Sequence, residues 1–483
     1  MPKSCLLLLL AAALAPLACA RASVDAPPPG LVVILVDDLG VGDVGAYNPA
    51  SRIPTPNLDR LAREGLRLDA AYAPSAICSP SRYALLTGRY AWRTPLEGGV
   101  VSRYDPLLVD ADTPTLPGVL KQRGYATACV GKWHLGFGEA QPGDFRGADA
   151  EARTPRADYT KPLRPGPNER GFDHFFGASG KPGMYFVVPP QREQDELASW
   201  FIEDGVVQVG DRARWDQTEV GPILTRHAVE WLEARAPDEP FFLYLSLTAV
   251  HAPLHPARLA QGASEAGVYG DFVVEVDWSV GQVLDALERT GRADDTLVVV
   301  TSDNGPDPSV AELGAAFGHR SNLDLRGWKR DAWEGGVRVP WIVRWPGRVP
   351  AGATSDALAA LNDLFPTLVN AAGAELPRDA APDGFDLAPA WWGGAATTPA
   401  REELVLHSAR GVFALRRGRW KYVDAPGSGG NRYPGPPPEA PVQLYDLAAD
   451  PGEARNLAGL EPALAAELAG RIAAARAASR TRP

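Results

Sequence analysis

The sequence predicts an α/β fold: a large, mostly parallel (mixed) sheet sandwiched between helices, followed by a smaller C-terminal α+β subdomain with an antiparallel sheet. Three observations carry this prediction. Short apolar runs without helical period recur along most of the chain, segments of helical period lie between them, and from Ala395 onward the pattern changes to shorter, closely spaced strand candidates.

The first run, residues 31–36, is six consecutive apolar residues rich in Val, and reads as a strand buried on both faces. A Pro-rich lead-in at 26–30 precedes it. The same signature returns at 125–130, 241–250, 296–301 and 339–343, while 115–122, 225–234 and 273–289 place apolar residues at helical spacing. Strands alternating with helices imply right-handed crossovers, and ligands then lie beyond the C-terminal strand ends. After Ala395, residues 403–407, 411–416 and 420–423 read as strands, 425–441 as a Gly/Pro-rich loop, and 461–478 as an Ala-rich helix. The expected units are a signal at 1–20, a catalytic domain at 21–394 and the subdomain at 395–483. Residues 142–167 and 189–216 read as long surface loops, which are often functional.

Residues 1–20 have a basic start at Lys3, an apolar run over 6–17 and the small residues Ala18, Cys19 and Ala20, the pattern of a secretory signal. The run falls short of the roughly 20 residues that span a bilayer, and no later stretch is long enough. An exported, periplasmic or secreted protein with no transmembrane helix is therefore expected. Cys19 leaves lipid anchoring open as the alternative to cleavage after Ala20, although Pro16 departs from the usual lipoprotein pattern. Of four cysteines, only Cys78 and Cys129 lie beyond the signal, so a disulfide framework is not expected. A formal net charge of -11 without any basic, aromatic-interleaved run excludes nucleic acid as a partner class and favours small molecules or glycans.

The chemistry-bearing residues cluster where predicted strands end. The first strand runs into Asp37 and Asp38, and the strand at 296–301 into Ser302, Asp303 and Asn304. Each Asp alone could cap a following helix. Three carboxylates converging on one sheet edge, however, repel and raise one another's pKa unless a cation sits among them. With the neutral carbonyl of Asn304 they form an oxygen-donor set suited to a hard divalent ion. The strand at 125–130 leads into Lys132 and His134, and the strand from Phe241 into His251, adding cationic and titratable groups. Cys78 precedes Pro80 and Arg82 at the start of a short helix that Gly88 can end. A helix N-terminus with a guanidinium one turn on is an anion site.

These residues carry a family resemblance. Cys78, Ser79, Pro80, Ser81 and Arg82, followed by Leu86, Thr87, Gly88 and Arg89, resemble the signature of the type I sulfatases, arylsulfatase-like enzymes of the alkaline phosphatase superfamily. Residues 131–136 resemble the family's second signature. The likeness continues through 37–40, 302–305, 325–329 with Glu334, Gly335, Gly336 and Arg338, and a C-terminal segment from Leu444 to Asn456. It spans nearly the whole mature chain.

The resemblance implies that a separate maturation enzyme oxidises Cys78 to formylglycine, whose hydrated form attacks the sulfur of a sulfate ester while the alcohol leaves from the opposite side. It further implies that Asp37, Asp38, Asp303 and Asn304, with the modified Cys78, hold a divalent metal, calcium rather than magnesium. Arg82 and Lys132 would support the modified residue. His134 would deprotonate the second hydroxyl so that sulfate is expelled, and His251 and Lys329 would bind sulfate oxygens and assist the leaving alcohol. The family's further polar position, after a segment resembling 171–177, falls among Ser179, Lys181 or neither.

Two other functions stay open on sequence: a hydrolase of phosphate or phosphonate esters, and a non-catalytic binder of sulfated glycans in which Cys78 remains a thiol. Trp200, Trp215, Trp328 and Trp333 offer stacking surfaces for sugars, although core packing also explains tryptophan.

Overall fold

The protein is described here by a computed structural model covering residues 28–102, 105–138, 161–180, 201–208, 216–392, 401–430 and 441–483. The signal segment, Lys181, Trp200, Trp215 and most of both long loops lie outside these residues.

The central strands form because their residues satisfy a sheet buried on both faces. β1 (Gly30–Val36) is fully buried along its length, each Val, Leu or Ile contributing about 1.5–3 kcal/mol on leaving water. The chain then adds β2 (Leu66–Leu68), β3 (Ala71–Tyr72), β4 (Ala126–Lys132), β5 (His174–Ala178), β6 (Ile202–Glu203), β7 (Val206–Val207), β8 (Phe241–Ser246), β9 (Thr296–Ser302), β10 (Trp341–Arg344), β11 (Ala353–Ser355) and β12 (Ala359–Ala360). Ten of these build one sheet in the order β11-β2-β10-β9-β1-β8-β4-β5-β6-β7. The run from β9 through β1, β8 and β4 to β5 is parallel. Antiparallel β10 joins one side and β6 the other, which makes the sheet mixed.

Helices pack against this sheet, among them α1 (Pro56–Glu64), α2 (Cys78–Thr87), α3 (Leu116–Gln122), α4 (Val220–Glu233) and α5 (Gly267–Arg289). Thr115 caps α3 by accepting the Gly118 N–H, and Gly88 ends α2 at φ +63°, a conformation that suits glycine. A second sheet, antiparallel throughout, takes β13 (Glu403–His407), β14 (Phe413–Arg417), β15 (Trp420–Val423) and β16 (Gln443–Asp446) in sequence order, with the helix Pro462–Ala477 after it. It has its own apolar core, built around Leu404, Leu406, Leu415, Tyr422, Leu444 and Leu468.

The expected elements are present with shifted ends. The run at 241–250 yields a strand only to Ser246, because the following residues turn to clasp the end of β1: Asp37 N–H donates to Ala249 O at 2.9 Å and Val250 N–H to Asp37 O at 2.7 Å. Conversely, β4 continues through Gly131 and Lys132. Gly131 is required there: its φ is +116°, and a Cβ would lie 1.8 Å from the Ser246 carbonyl oxygen. Residues 444–445, read only as part of a C-terminal segment, belong to β16.

Tyr72, Trp333 and Val337 extend the apolar core of the second sheet toward the rest of the chain, and a charged group is buried at the same contact. Lys421 Nζ donates to Glu334 Oε1 at 2.8 Å and lies 3.7 Å from Glu453 Oε1, all three side chains being fully buried. Glu334 also accepts from Tyr72 Oη at 2.8 Å and Arg338 Nε at 2.7 Å.

Candidate active site

Register alone brings the acidic strand ends together. Val36 pairs with Ser302 across β1 and β9, so Asp37 and Asp38 leave the sheet beside Asp303 and Asn304. Asp38 N–H donates to Asp303 Oδ1 at 3.2 Å and Leu39 N–H to Ser302 Oγ at 2.9 Å. Asn304 Nδ2 donates to Asp38 Oδ1 at 2.7 Å. All four side chains are fully buried.

Three cations answer the three carboxylates. Lys132, at the end of β4, donates to Asp37 Oδ2 at 2.6 Å. Lys329 donates to Asp38 Oδ2 at 2.7 Å. Arg82, on the second turn of α2, forks onto Asp303 Oδ2 from Nε at 2.9 Å and Nη2 at 2.7 Å, and its Nη1 donates to Lys132 O at 3.1 Å. Burial alone would push the Asp37 carboxyl up, but Lys132, with His251, Arg82 and Lys329, holds it well below the usual carboxylate range. Asp38 is raised to about 7 by burial, with Lys329 opposing and Asp37 and Asp303 adding to the rise. Asp303 is raised by burial and by Asp37.

Cys78 is the first residue of α2 and only 2% exposed. Its Sγ lies 3.6 Å from Asp37 Oδ1. Burial pushes its thiol up to about 12, so an unmodified Cys78 holds its proton at neutral pH and is a poor nucleophile. Cys129 is also a free, buried thiol, packed in β4. Asp37, Asp38, Cys78 and His251 each present a ligand atom within 4.8 Å of the others.

The two histidines are neutral. Burial, then Lys132 and Arg82, lowers His134 well below the usual imidazole range, and burial with Lys329 does the same to His251. His251 Nδ1 lies 2.6 Å from Ala252 O. Since a carbonyl only accepts, Nδ1 carries the proton and Nε2, 3.8 Å from Asp38 Oδ2, is the free face. Asp38, His134 and Arg330 all adopt positive φ, at +66°, +58° and +86°. Such backbone strain concentrates at functional sites.

The structure thus brings together Asp37, Asp38, Cys78, Arg82, Lys132, His251, Asp303, Asn304 and Lys329, with His134 adjoining. His134 N–H donates to Ser179 O at 2.9 Å, which sets the buried Ser179 beside it. Trp333 is packed away from solvent: its Nε1 donates to Gln443 and Arg326 lies 3.8 Å over its ring.

Sequence reasoning missed several supports. Ser246 accepts from Arg82 and donates to Lys132 O at 2.7 Å; its signal is a serine closing an otherwise aliphatic and aromatic strand. Asp43 receives Gly40 N–H at 2.7 Å and Tyr269 Oη at 2.6 Å and lies 2.8 Å from His319 Nε2, a buried brace under the Asp37–Gly40 turn that no local pattern betrays.

The residues fit a hard cation. The buried Asn304 Oδ1 has no hydrogen-bond partner among the described residues, and it adjoins carboxylates whose mutual repulsion a divalent ion would relieve.

A parallel α/β core with acidic groups, cations and a helix N-terminus gathered beyond its strand ends is the architecture of the alkaline phosphatase superfamily. Comparison narrows this. The Sulfatase family profile matches residues 29–374. An N-acetylgalactosamine-6-O-sulfatase of Bacteroides thetaiotaomicron is 33% identical, over 91% of this chain and 91% of that protein. Human arylsulfatase A is 34% identical, over 95% and 87% respectively. A structure solved in work on glycosaminoglycan metabolism by Bacteroides thetaiotaomicron superposes with a TM-score of 0.79 at 29% identity, covering 94% of this chain and 100% of that one. The chain belongs to the type I sulfatase family, and it is a sulfuric ester hydrolase.

Proposed function

We propose that this sulfatase acts on sulfated carbohydrates, with Cys78 oxidised to formylglycine as its nucleophile and calcium as its metal. The observation that carries the reading is the placement of Cys78 at the N-terminus of α2, against Asp37 and between Lys132 and the Asp303-Arg82 pair. The relatives include enzymes named for N-acetylgalactosamine 6-sulfate, which supports a glycan substrate.

Asp37, Asp38, Asp303 and Asn304, with residue 78, would hold the ion, which when bound supplies Lewis-acid neutralisation of sulfate charge and acidifies a coordinated oxygen. Formylglycine at residue 78 supplies a hydrated aldehyde in place of an inert thiol. Lys132 and Arg82 fix Asp37 and Asp303, and their charge favours the transition-state oxyanion. His134, neutral through burial, is able to accept a proton beside residue 78. Lys329 and the Nε2 face of His251 lie on the Asp38 side, where they hold sulfate oxygens and serve the departing alcohol.

Residues 1–20 act as an export signal in this reading, the catalytic domain covers 21–394 and the subdomain 395–483. Among the described residues no helix is long and apolar enough to cross a membrane. A maturation enzyme of the host is the implied partner.

Intact-mass analysis of the Cys78 peptide from protein made in its native host tests the reading, alongside rates on nitrophenyl sulfate and nitrophenyl phosphate. An aldehyde at residue 78 and a preference for the sulfate are expected. A persistent thiol in active protein would refute the nucleophile.

A further inference from the structure

The rim that carries Lys329 continues into a second cleft. The Arg330 carbonyl accepts the Ala409 N–H at 3.1 Å, and Ala409 and Arg410 form one wall of an open cleft of about 900 Å³. Arg89, Trp92 and Arg93, just past α2, form another wall, and Arg476 near the end of the last helix closes a third. Four arginines thus face one glutamate, Glu97, in a chain of formal net charge -11.

The arginines divide by environment. Arg93 is structural: it forks onto Asp383 from Nε and Nη2, both at 2.9 Å, and lies 4.3 Å over the Trp92 ring. Arg410 and Arg476 are exposed and make no ion pair among the described residues. Arg476 sits 4.4 Å over Phe413, which meets Trp92 edge to face at 5.6 Å. The buried Trp92 Nε1 has no acceptor among the described residues. Fold stability accounts for Arg93 but not for two exposed guanidinium groups on an open cleft with no ion pair among the described residues. Forked donors of this kind suit a polymer that bears sulfate or carboxylate.

We infer that this cleft is a non-catalytic binding site for a sulfated polysaccharide chain, which the enzyme grips at a distance from the ester under attack. α2 has ten residues, about 15 Å at 1.5 Å per residue, with Cys78 at one end and the cleft beyond the other. A polysaccharide chain can cover that length. The inference rests on the glycan-sulfatase reading for its choice of ligand.

The test is the double variant R410E/R476E, compared with the parent for affinity to chondroitin sulfate, to the same polymer chemically desulfated, and for kcat/KM on nitrophenyl sulfate. The parent is expected to bind the sulfated polymer at least tenfold more tightly than the desulfated one. The variant should lose at least tenfold in affinity for the sulfated polymer, with a shallower salt dependence since two cations are gone, and keep kcat/KM on nitrophenyl sulfate within twofold. Unchanged polymer affinity in the variant, equal binding of the two polymers by the parent, or full competition by inorganic sulfate at matched sulfate concentration would each overturn the inference. Because affinity is read without turnover, an inactive parent would overturn the reaction assignment while the binding result still decided the cleft.

Discussion

Replacing Lys421 by Met tests what joins the two sheets. The ammonium is fully buried against Glu334 Oε1 at 2.8 Å, with Glu453 Oε1 at 3.7 Å. Burial would raise the Glu334 carboxyl, yet Lys421, Arg338 and Arg416 hold it below its usual range, whereas burial lifts Glu453 to about 7 against the pull of Lys421. Methionine keeps the volume, leaves Glu334 to Arg338 and strands Glu453 beside it. Breaking such a pair from one side costs about 3–5 kcal/mol. An unfolding entropy of about 2.1 cal/mol/K per residue gives roughly 1 kcal/mol/K for a chain of this length, so the loss corresponds to a fall of about 3–5 °C in the unfolding midpoint. Differential scanning calorimetry reads it directly. The double variant K421M/E453Q should fall less than the single one, because Glu334 keeps Arg338 and the carboxylate that Lys421 alone faces is gone. A K421M shift under 1 °C, or a double variant less stable than the single, would show that the seam does not depend on this charge triad.

Glu275 accepts the Ala257 N–H at 2.6 Å, and burial raises its carboxyl to about 8. Its folded value lies above the usual 4.5, so the unfolded chain releases a proton that the folded chain keeps, and the contribution present at low pH drains away between about pH 4.5 and 8. Urea midpoints of Glu275→Gln relative to the parent should therefore improve as pH rises across that window, by at most about 1.4 kcal/mol per pH unit; a difference constant with pH would contradict this. Asp303→Asn should lower kcat/KM on nitrophenyl sulfate by at least about a hundredfold, the scale of losing a main electrostatic element, and dialysis against a chelator should abolish activity that calcium restores. His134→Ala is expected to reduce kcat by about 10²–10⁴, read by stopped assays with protein whose residue 78 is confirmed as modified. Gly131→Ala forces a Cβ into the Ser246 carbonyl and should cost more than about 2 kcal/mol in thermal unfolding.

Much of this site was legible because it follows from where strands end. An apolar run closing on Asp37 and Asp38, and another on Asp303 and Asn304, is a local pattern, and parallel pairing converts it into proximity. The helix start at Cys78 was readable from Pro80 and Gly88 for the same reason. What stayed hidden depends on contacts distant in sequence. Nothing near Arg82 says that it will fork onto Asp303, or that Ser246 will brace it. The early end of β8 is set by its clasp on Asp37, a tertiary bond that outweighs the strand preference of residues 247–250. Trp333 was a candidate sugar platform on composition, but its depth and its bond to Gln443 are properties of the assembled second core.

The pairing of Arg82 with Asp303 also has a consequence in time. The two residues are 221 positions apart, and a ribosome adding about 5–20 residues per second needs roughly 10–45 s to travel from one to the other. Through that interval the segment bearing Cys78 exists without the strand against which it is finally sealed. Cys78 ends 2% exposed, so if it is oxidised as proposed, the closing of the sheet sets the deadline for that reaction.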